Sequence, residues 1–520
     1  MPLPKARARW ELLLAAVVLA VLSYSTMYPG ITSPNERSRL YLAVSLVDSG
    51  SLSIDAPVRR YGHILDTASF QGHLYSDKAP GSSFLAAGVY AVAKKVAAPE
   101  TLGIAALLNW MRRGLMVPLG LLGFVLLRSL LRRTGVVQSV IDLCSIGWIL
   151  GSAAFHYSTA FFGHQIVAVA LLLALRMALA AEDCARARWL RTALLAAASG
   201  AAAGMAGLTE YQAGIPAALL TLYLLSGRLR RSPAALIGFF LGAAPFVALL
   251  AWYNTRAFGG PLELSYHHLT NPSLHEIHTQ GIGGITVPQW ESFHGGVLSL
   301  HRGLLGSSPM FVFALPGIVA LWRARGPRLC LLLTSASLYY LLFISSSNMW
   351  FAGWGFGPRL LVPALGWMCV LVAHGAQSVM RWSVADGLLR GVVLVGVLVC
   401  QAVHVFFPEP PETTENPLAD VVLVLFRAGL VAPNLAREAL GDLWSLVPLV
   451  LLLALLLGFL LFRRVPPRSA LKKIAVPIIA LSLLPVFFGI VRAQGPSWSE
   501  GERSDFVRFV RRVDTGRAKH

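Results

Sequence analysis

The stretch Ile31–Ser82 reads ITSPNERSRLYLAVSLVDSGSLSIDAPVRRYGHILDTASFQGHLYSDKAPGS and follows directly on the first apolar segment. It is polar, dense in ionisable groups, and broken by Pro34, Pro57, Gly62, Gly72, Pro80 and Gly81. Nearly everything after it alternates apolar runs with short basic joints. Lipid-facing spans offer a polar substrate little, so a loop bearing acids and bases is where such a chain would do chemistry.

Of the 520 residues, 56% are hydrophobic and only 13% charged, where a soluble domain carries about 25% charged residues. Apolar runs of about 18 or more residues recur, each long enough to cross about 30 Å of hydrocarbon. The fold class expected is therefore an all-α polytopic membrane protein. A closed β-barrel is excluded, because its strands alternate over about ten residues and give no such runs. The formal charge of +19 does not point to nucleic acid, since most basic residues sit in short joints where they orient the spans. The cysteines (144, 184, 330, 369, 400) are scattered singly, forming neither a disulfide framework nor a CxxC pair.

The apolar pattern predicts about thirteen spans: 10–28, 115–131, 136–158, 164–181, 192–208, 212–226, 234–253, 308–322, 329–346, 360–379, 389–407, 445–462 and 472–492. The first is read as a retained helix, since it lacks a clean small-x-small cleavage site. Lys5, Arg7 and Arg9 place the N-terminus in the cytoplasm, and every second joint is then basic. Those joints carry Arg128, Arg132 and Arg133; Arg186, Arg188 and Arg191; Arg228, Arg230 and Arg231; Arg323, Arg325 and Arg328; Arg381 and Arg390; and Arg463, Arg464, Arg468, Lys472 and Lys473. The C-terminus falls outside.

The expected organisation is a first span (1–30), an outer catalytic loop (31–113), spans at 114–253, and a second outer loop (254–307). Spans at 308–407, an outer connector (408–444), the last spans (445–492) and an outer tail (493–520) complete it. Within the first loop, SRLYLAVSLVDSG suggests an amphipathic helix along the membrane interface ending at Gly50. Ser82–Ala93 is short and runs into Lys94 and Lys95, so it is read as re-entrant or interfacial. The connector, acidic and Pro-rich at its start, reads as a surface segment. DFVRFVRRV in the tail suggests an amphipathic helix on the outer leaflet.

Candidate groups fall at the outer boundary. Glu36, about eight residues past the first span, suits a general base; as an acid in a first helical turn after Asn35 it equally suits a helix start. Arg39, Asp55, Asp66, Tyr75, Asp77 and Lys78 share its loop. Lys78 would meet a lipid phosphate, or simply snorkel. His301 and Arg302 begin a later span, and Arg359 stands alone in an otherwise uncharged outer joint. His164 and Glu210 are near-membrane groups, each a site residue or a helix-packing partner. His267, His268, His275, Glu276 and His278 are not spaced as a helix-borne HExxH; a divalent ion is conceivable there, but no metal or other cofactor is predicted.

Four segments carry a resemblance: Asn35-Glu36, Lys78-Ala79-Pro80-Gly81, Arg302-Gly303-Leu304 to Ser308-Pro309, and Gly355-Phe356-Gly357-Pro358-Arg359. In this order and topology they resemble the polyprenol-phosphate-sugar-dependent glycosyltransferases of the GT-C superfamily, the bacterial protein O-mannosyltransferase-like and aminoarabinose-transferase-like proteins. Two positions depart from that pattern. Asn35 stands where the family has Asp, and Ala79 replaces the first proline of its turn. The resemblance implies inverting transfer of a sugar from a polyprenyl-phosphate donor to a lipid, glycan or protein acceptor, at the outer face of a bacterial inner membrane. It implies Glu36, or another loop acid such as Asp66, as base, with Lys78, Arg302 and Arg359 neutralising the lipid phosphate. A lipid-linked-sugar transporter would instead place charges near the bilayer midplane and show repeated halves, and neither is evident. A non-catalytic cell-envelope assembly protein would leave the loop acids replaceable.

Overall fold

The computed structural model describes residues 5–97, 102–184, 189–227, 230, 232–462 and 470–514. Of the joint cations, Arg186, Arg188, Arg228, Arg231, Arg463, Arg464 and Arg468 lie outside the described residues. Nine described helices are long and apolar enough to cross a membrane, beginning with Ile104–Arg133 and ending with Ile474–Gln494. A helix lies on each remaining predicted span, but Lys5–Tyr24 carries Arg7, Arg9 and Glu11, and Gln138–Leu150 and Tyr211–Leu225 are shorter. The Gln138–Leu150 helix stops at Gly151, and a second short helix, Ala153–Tyr157, continues from a Ser152 cap.

Small residues let the spans approach closely. A Cβ on Gly200 would stand 1.9 Å from the Phe239 carbonyl oxygen, and one on Gly242 would stand 2.0 Å from that of Ala197. The helices Trp189–Thr209 and Pro233–Phe258 therefore touch backbone to backbone, a contact that lipid-embedded helices gain from packing rather than from exclusion of water.

The first long loop is a folded unit. Helix α1 (Lys5–Tyr24) leads into α2 (Pro34–Ser49), α3 (Asp55–Tyr61), a hairpin of β1 (Thr67–Phe70) and β2 (His73–Ser76), and α4 (Gly81–Val96). Pro34 suits the first turn of α2, and Gly50 ends it in the left-handed region at φ +66°. The hairpin was not anticipated. Its turn is Gln71-Gly72, both at positive φ, the two-residue geometry whose twist matches paired strands.

Three expectations need correction. α2 is not an interfacial helix: Asn35 through Ser45 are all buried, so it is enclosed on every side. Its polar residues are tolerated there because they find partners, as shown below. The start of the connector is not a surface segment either, since Glu409, Thr414, Asn416 and Asp420 are buried. Asn416 donates to the Val491 and Gly495 carbonyls, and Asp420 accepts from the Ser497 and Trp498 N–H groups. The C-terminal helix Glu500–Asp514 turns Phe506, Val510 and Val513 onto the protein, with Phe506 against Phe407 and Trp498, rather than offering that face to a leaflet.

The second long loop docks on the first. The Thr270 N–H donates to the Thr67 carbonyl at 3.0 Å, Leu269 bridges Ala68, and Ser265 Oγ donates to the Asp77 carbonyl at 2.8 Å. Further on, the Thr286 and Gln289 N–H groups donate to the Ser346 and Ser345 carbonyls.

Candidate active site

Charged side chains from distant segments meet where the two long loops join the spans, and they sort by whether an acid already neutralises them. Arg112, in a π-helical turn, holds Glu36 with two nitrogens, one of them Nε to Oε1 at 2.9 Å; the Phe161 N–H donates to the same Oε1 at 2.7 Å. Arg39 donates to Glu210 at 2.7 Å and to the Asn35 side chain. Lys78 lies between Asp77 at 2.6 Å and Asp66 at 3.0 Å, and Ser38 Oγ also donates to Asp77 at 2.8 Å.

Burial, with Asp66 nearby, pushes the Asp77 carboxyl up, although Lys78 opposes the shift. Burial disfavours the charge on Lys78, but Asp66 and Asp77 outweigh it and hold the ammonium above its usual range. Asp66 is the partly exposed member of this trio, its side chain 17% exposed against 2% for Asp77.

Arg302 and Arg359 differ from these cations. Arg302 donates through Nη1 to the carbonyls of Phe351 and Gly353, the latter at 2.7 Å, and its buried Nη2 has no hydrogen-bond partner. Arg359 lies over the Phe162 ring at 5.2 Å, and its Nε is buried without a partner. Among the described residues, neither has an acid at ion-pair distance. Burial, with Arg359 close by, pulls the Arg302 guanidinium down to about 10. Two crowded cations that make no ion pair among the described residues form a site suited to an anion.

Arg359 links the two groups. It is within electrostatic reach of His164, Tyr266 and Glu409, while Arg39 and Lys78 also reach His164. Tyr266, from the second long loop, stacks on His278 at 4.7 Å and meets the edge of Tyr211 at 5.6 Å. His164 Nδ1 stands 3.9 Å from Glu210.

Several expected site residues make contacts of their own. Both oxygens of Glu36 are in hydrogen bonds, from Arg112 and from the Phe161 N–H. His301 sits between the carbonyls of Thr414 (2.5 Å) and Gly355 (2.9 Å), clamping two loops. Asp55 accepts from Ser53 Oγ, His73 and the Leu74 N–H and so anchors the hairpin. Tyr75 packs on Phe258 at 5.5 Å. His267 and His268 contact Glu263 at 2.9 and 3.2 Å. Among the described residues, no three or more His, Cys, Asp or Glu side chains are grouped to hold a metal ion. Sequence reasoning passed over Glu409, a buried carboxyl within reach of Glu36, Arg112 and Arg359. The prolines around it at 408, 410 and 411 are the one local hint that its backbone is fixed.

An enclosed loop helix, a second loop laid over it and a surrounding set of apolar helices make up the fold. No family model and no curated protein matches the sequence. Among solved structures, ArnT from Cupriavidus metallidurans bound to undecaprenyl phosphate is similar over 99% of this chain and 79% of that one, at 14% identity and a TM-score of 0.54. Its apo form is similar over 99% and 78%, at 15% identity and a TM-score of 0.52. At such identities the likeness is one of fold.

Proposed function

We propose that this chain is a membrane glycosyltransferase that moves a sugar, with inversion, from a polyprenyl-phosphate donor to a lipid, glycan or protein acceptor. The observation that carries this reading is the pair Arg302 and Arg359, two cations without acids beside carboxylates that lack no cation. The fold shared with ArnT, whose structure holds undecaprenyl phosphate, supports a lipid phosphate as the anion. The site faces the non-cytoplasmic side of a bacterial inner membrane, with the N-terminus in the cytoplasm and the C-terminus outside.

Asp66 acts as base: it removes the acceptor proton as the acceptor oxygen attacks the anomeric carbon. The bond from that carbon to the phosphate oxygen breaks, and its electron pair stays on the phosphate. Arg302 and Arg359 meet the charge that builds there, at a boundary where fixed cations act more strongly than in water. Lys78 stands ready to exchange Asp66 for the phosphate, and the buried pairs Glu36–Arg112 and Arg39–Glu210 hold the walls. The test is transfer of labelled sugar from a polyprenyl-phosphate donor by the purified chain in liposomes. Absence of transfer with every polyprenyl-phosphate sugar offered would end the proposal.

A further inference from the structure

Three large apolar side chains stand out from the second long loop: Ile282 is 88% exposed, Val287 72% and Trp290 71%. They lie within residues 279–290, which carry no ionisable side chain. The backbone beneath them closes on itself. The Ile282 N–H donates to the Ile285 carbonyl at 3.0 Å, the Ile285 N–H donates to the Ile282 carbonyl at 3.2 Å, and the Gly284 N–H donates to the Gln280 carbonyl at 3.0 Å. Gly283 and Gly284 turn the chain at positive φ, where a side chain would be strained. A knuckle that satisfies these backbone groups internally is suited to leave water for lipid.

Its place is set by the end of an apolar helix. The Thr286 and Gln289 N–H groups donate to the Ser346 and Ser345 carbonyls, each at 2.8 Å; the Asn348 N–H donates to the Gly284 carbonyl at 3.1 Å, and Ile285 bridges Ser347. Ser345 and Ser346 are the last residues of the helix Pro327–Ser346, which is long and apolar enough to cross a membrane. On that helix Leu331, Leu338 and Leu342 are exposed at spacings of seven and four residues, one face turned to lipid. The knuckle is therefore tied to the level at which a span leaves the hydrocarbon, the boundary where tryptophan is favoured.

The same joint leads to the anion site. Beyond Asn348 the chain reaches Phe351 and Gly353, whose carbonyls accept from Arg302 Nη1. Between them Ala352 is held at φ +58°, a left-handed conformation that a residue with a Cβ keeps only where its surroundings impose it.

We propose that residues 281–290 seat in the membrane interface, with Ile282, Val287 and Trp290 among the ends of the acyl chains, and that this seating braces residues 345–353 and so holds Arg302. The partner is the bilayer surface itself. The seating stands on the geometry alone, whereas the brace rests on the reading of Arg302 as a ligand of the lipid phosphate.

The experiment places nitroxide labels at I282C and V287C, and at E276C on the exposed helix Pro272–Thr279 as an aqueous control, in the full chain in phosphatidylethanolamine and phosphatidylglycerol liposomes. The signal of labelled wild type, which comes from the native cysteines, is subtracted. Power saturation compares collisions with oxygen, which concentrates in lipid, and with a water-soluble nickel chelate. Oxygen should dominate at 282 and 287 and the chelate at 276; the chelate dominating at 282 and 287 overturns the proposal. In the same liposomes I282S/V287S should weaken binding of polyprenyl phosphate about 2- to 30-fold, with melting temperature held, and should add nothing once R302A is present. No loss, or an equal loss with and without Arg302, overturns the brace. Wild type that binds no polyprenyl phosphate would overturn the reading of Arg302 and the brace with it, while the labels still decide the seating.

Discussion

Arg112 grips Glu36 through two nitrogens, and the Phe161 N–H fills the remaining approach to Oε1 at 2.7 Å. Both side chains are almost fully buried. Removing one charge from such a pair leaves the other stranded, which costs about 3–5 kcal/mol, whereas replacing both with apolar residues of similar volume is close to neutral. E36Q should therefore lower thermal stability in detergent, and E36Q combined with R112M should regain much of it. A stable E36Q enzyme with its chemistry abolished would restore Glu36 as base.

Arg359 makes no ion pair among the described residues, so its loss should spare the fold. R359A should weaken binding of polyprenyl phosphate by about 10- to 100-fold, the worth of one charge-assisted hydrogen bond, with melting temperature held. Titration with the lipid phosphate in nanodiscs reads this directly. Affinity equal to wild type would remove Arg359 from the anion site.

Asp66 and Asp77 both hold Lys78, but only Asp66 reaches solvent appreciably. D66N should cut sugar transfer about 10²–10⁴-fold, the usual share of a general base, and leave donor binding in place. Transfer within a small factor of wild type would move the base role to another acid.

Asp55 carries a pH dependence of its own. Burial pulls its carboxyl up, but hydrogen bonds from Ser53, His73 and the Leu74 N–H outweigh this and hold it below the usual range. An acid with a lowered native value contributes stability above its unfolded value, near pH 4, and loses it as pH falls through the native one. Hydrogen exchange at the Leu74 amide should quicken on acidification in wild type. It should already be fast near neutral pH in D55N.

Apolar runs could be read because they have few other fates, and nine described helices are long and apolar enough to cross a membrane. Lys78, Arg302 and Arg359 stood out because a charge at the membrane boundary needs a reason. What a single sequence hides is pairing. Nothing near Glu36 announces Arg112, and nothing near Arg39 announces Glu210. Polar residues that look fit for an interface helix are buried once such partners arrive. Glu409 sat unseen in an acidic, Pro-rich run whose composition resembles surface connectors. The Gln71-Gly72 turn was visible in principle, as a two-residue break between short alternating runs.

The hydrogen bonds between Thr67 and Thr270 join parts of the chain that a ribosome delivers far apart in time. The acids and Lys78 emerge early, whereas Arg302, Arg359 and Glu409 arrive only after most of the spans have been inserted. During biogenesis the nascent protein therefore carries half a site, with Arg39 awaiting Glu210 and Asp77 awaiting the Ser265 hydroxyl. Insertion chaperones that shield polar segments would find their longest task in α2, where Glu36 and Arg39 meet Arg112 and Glu210 only once the later helices come in.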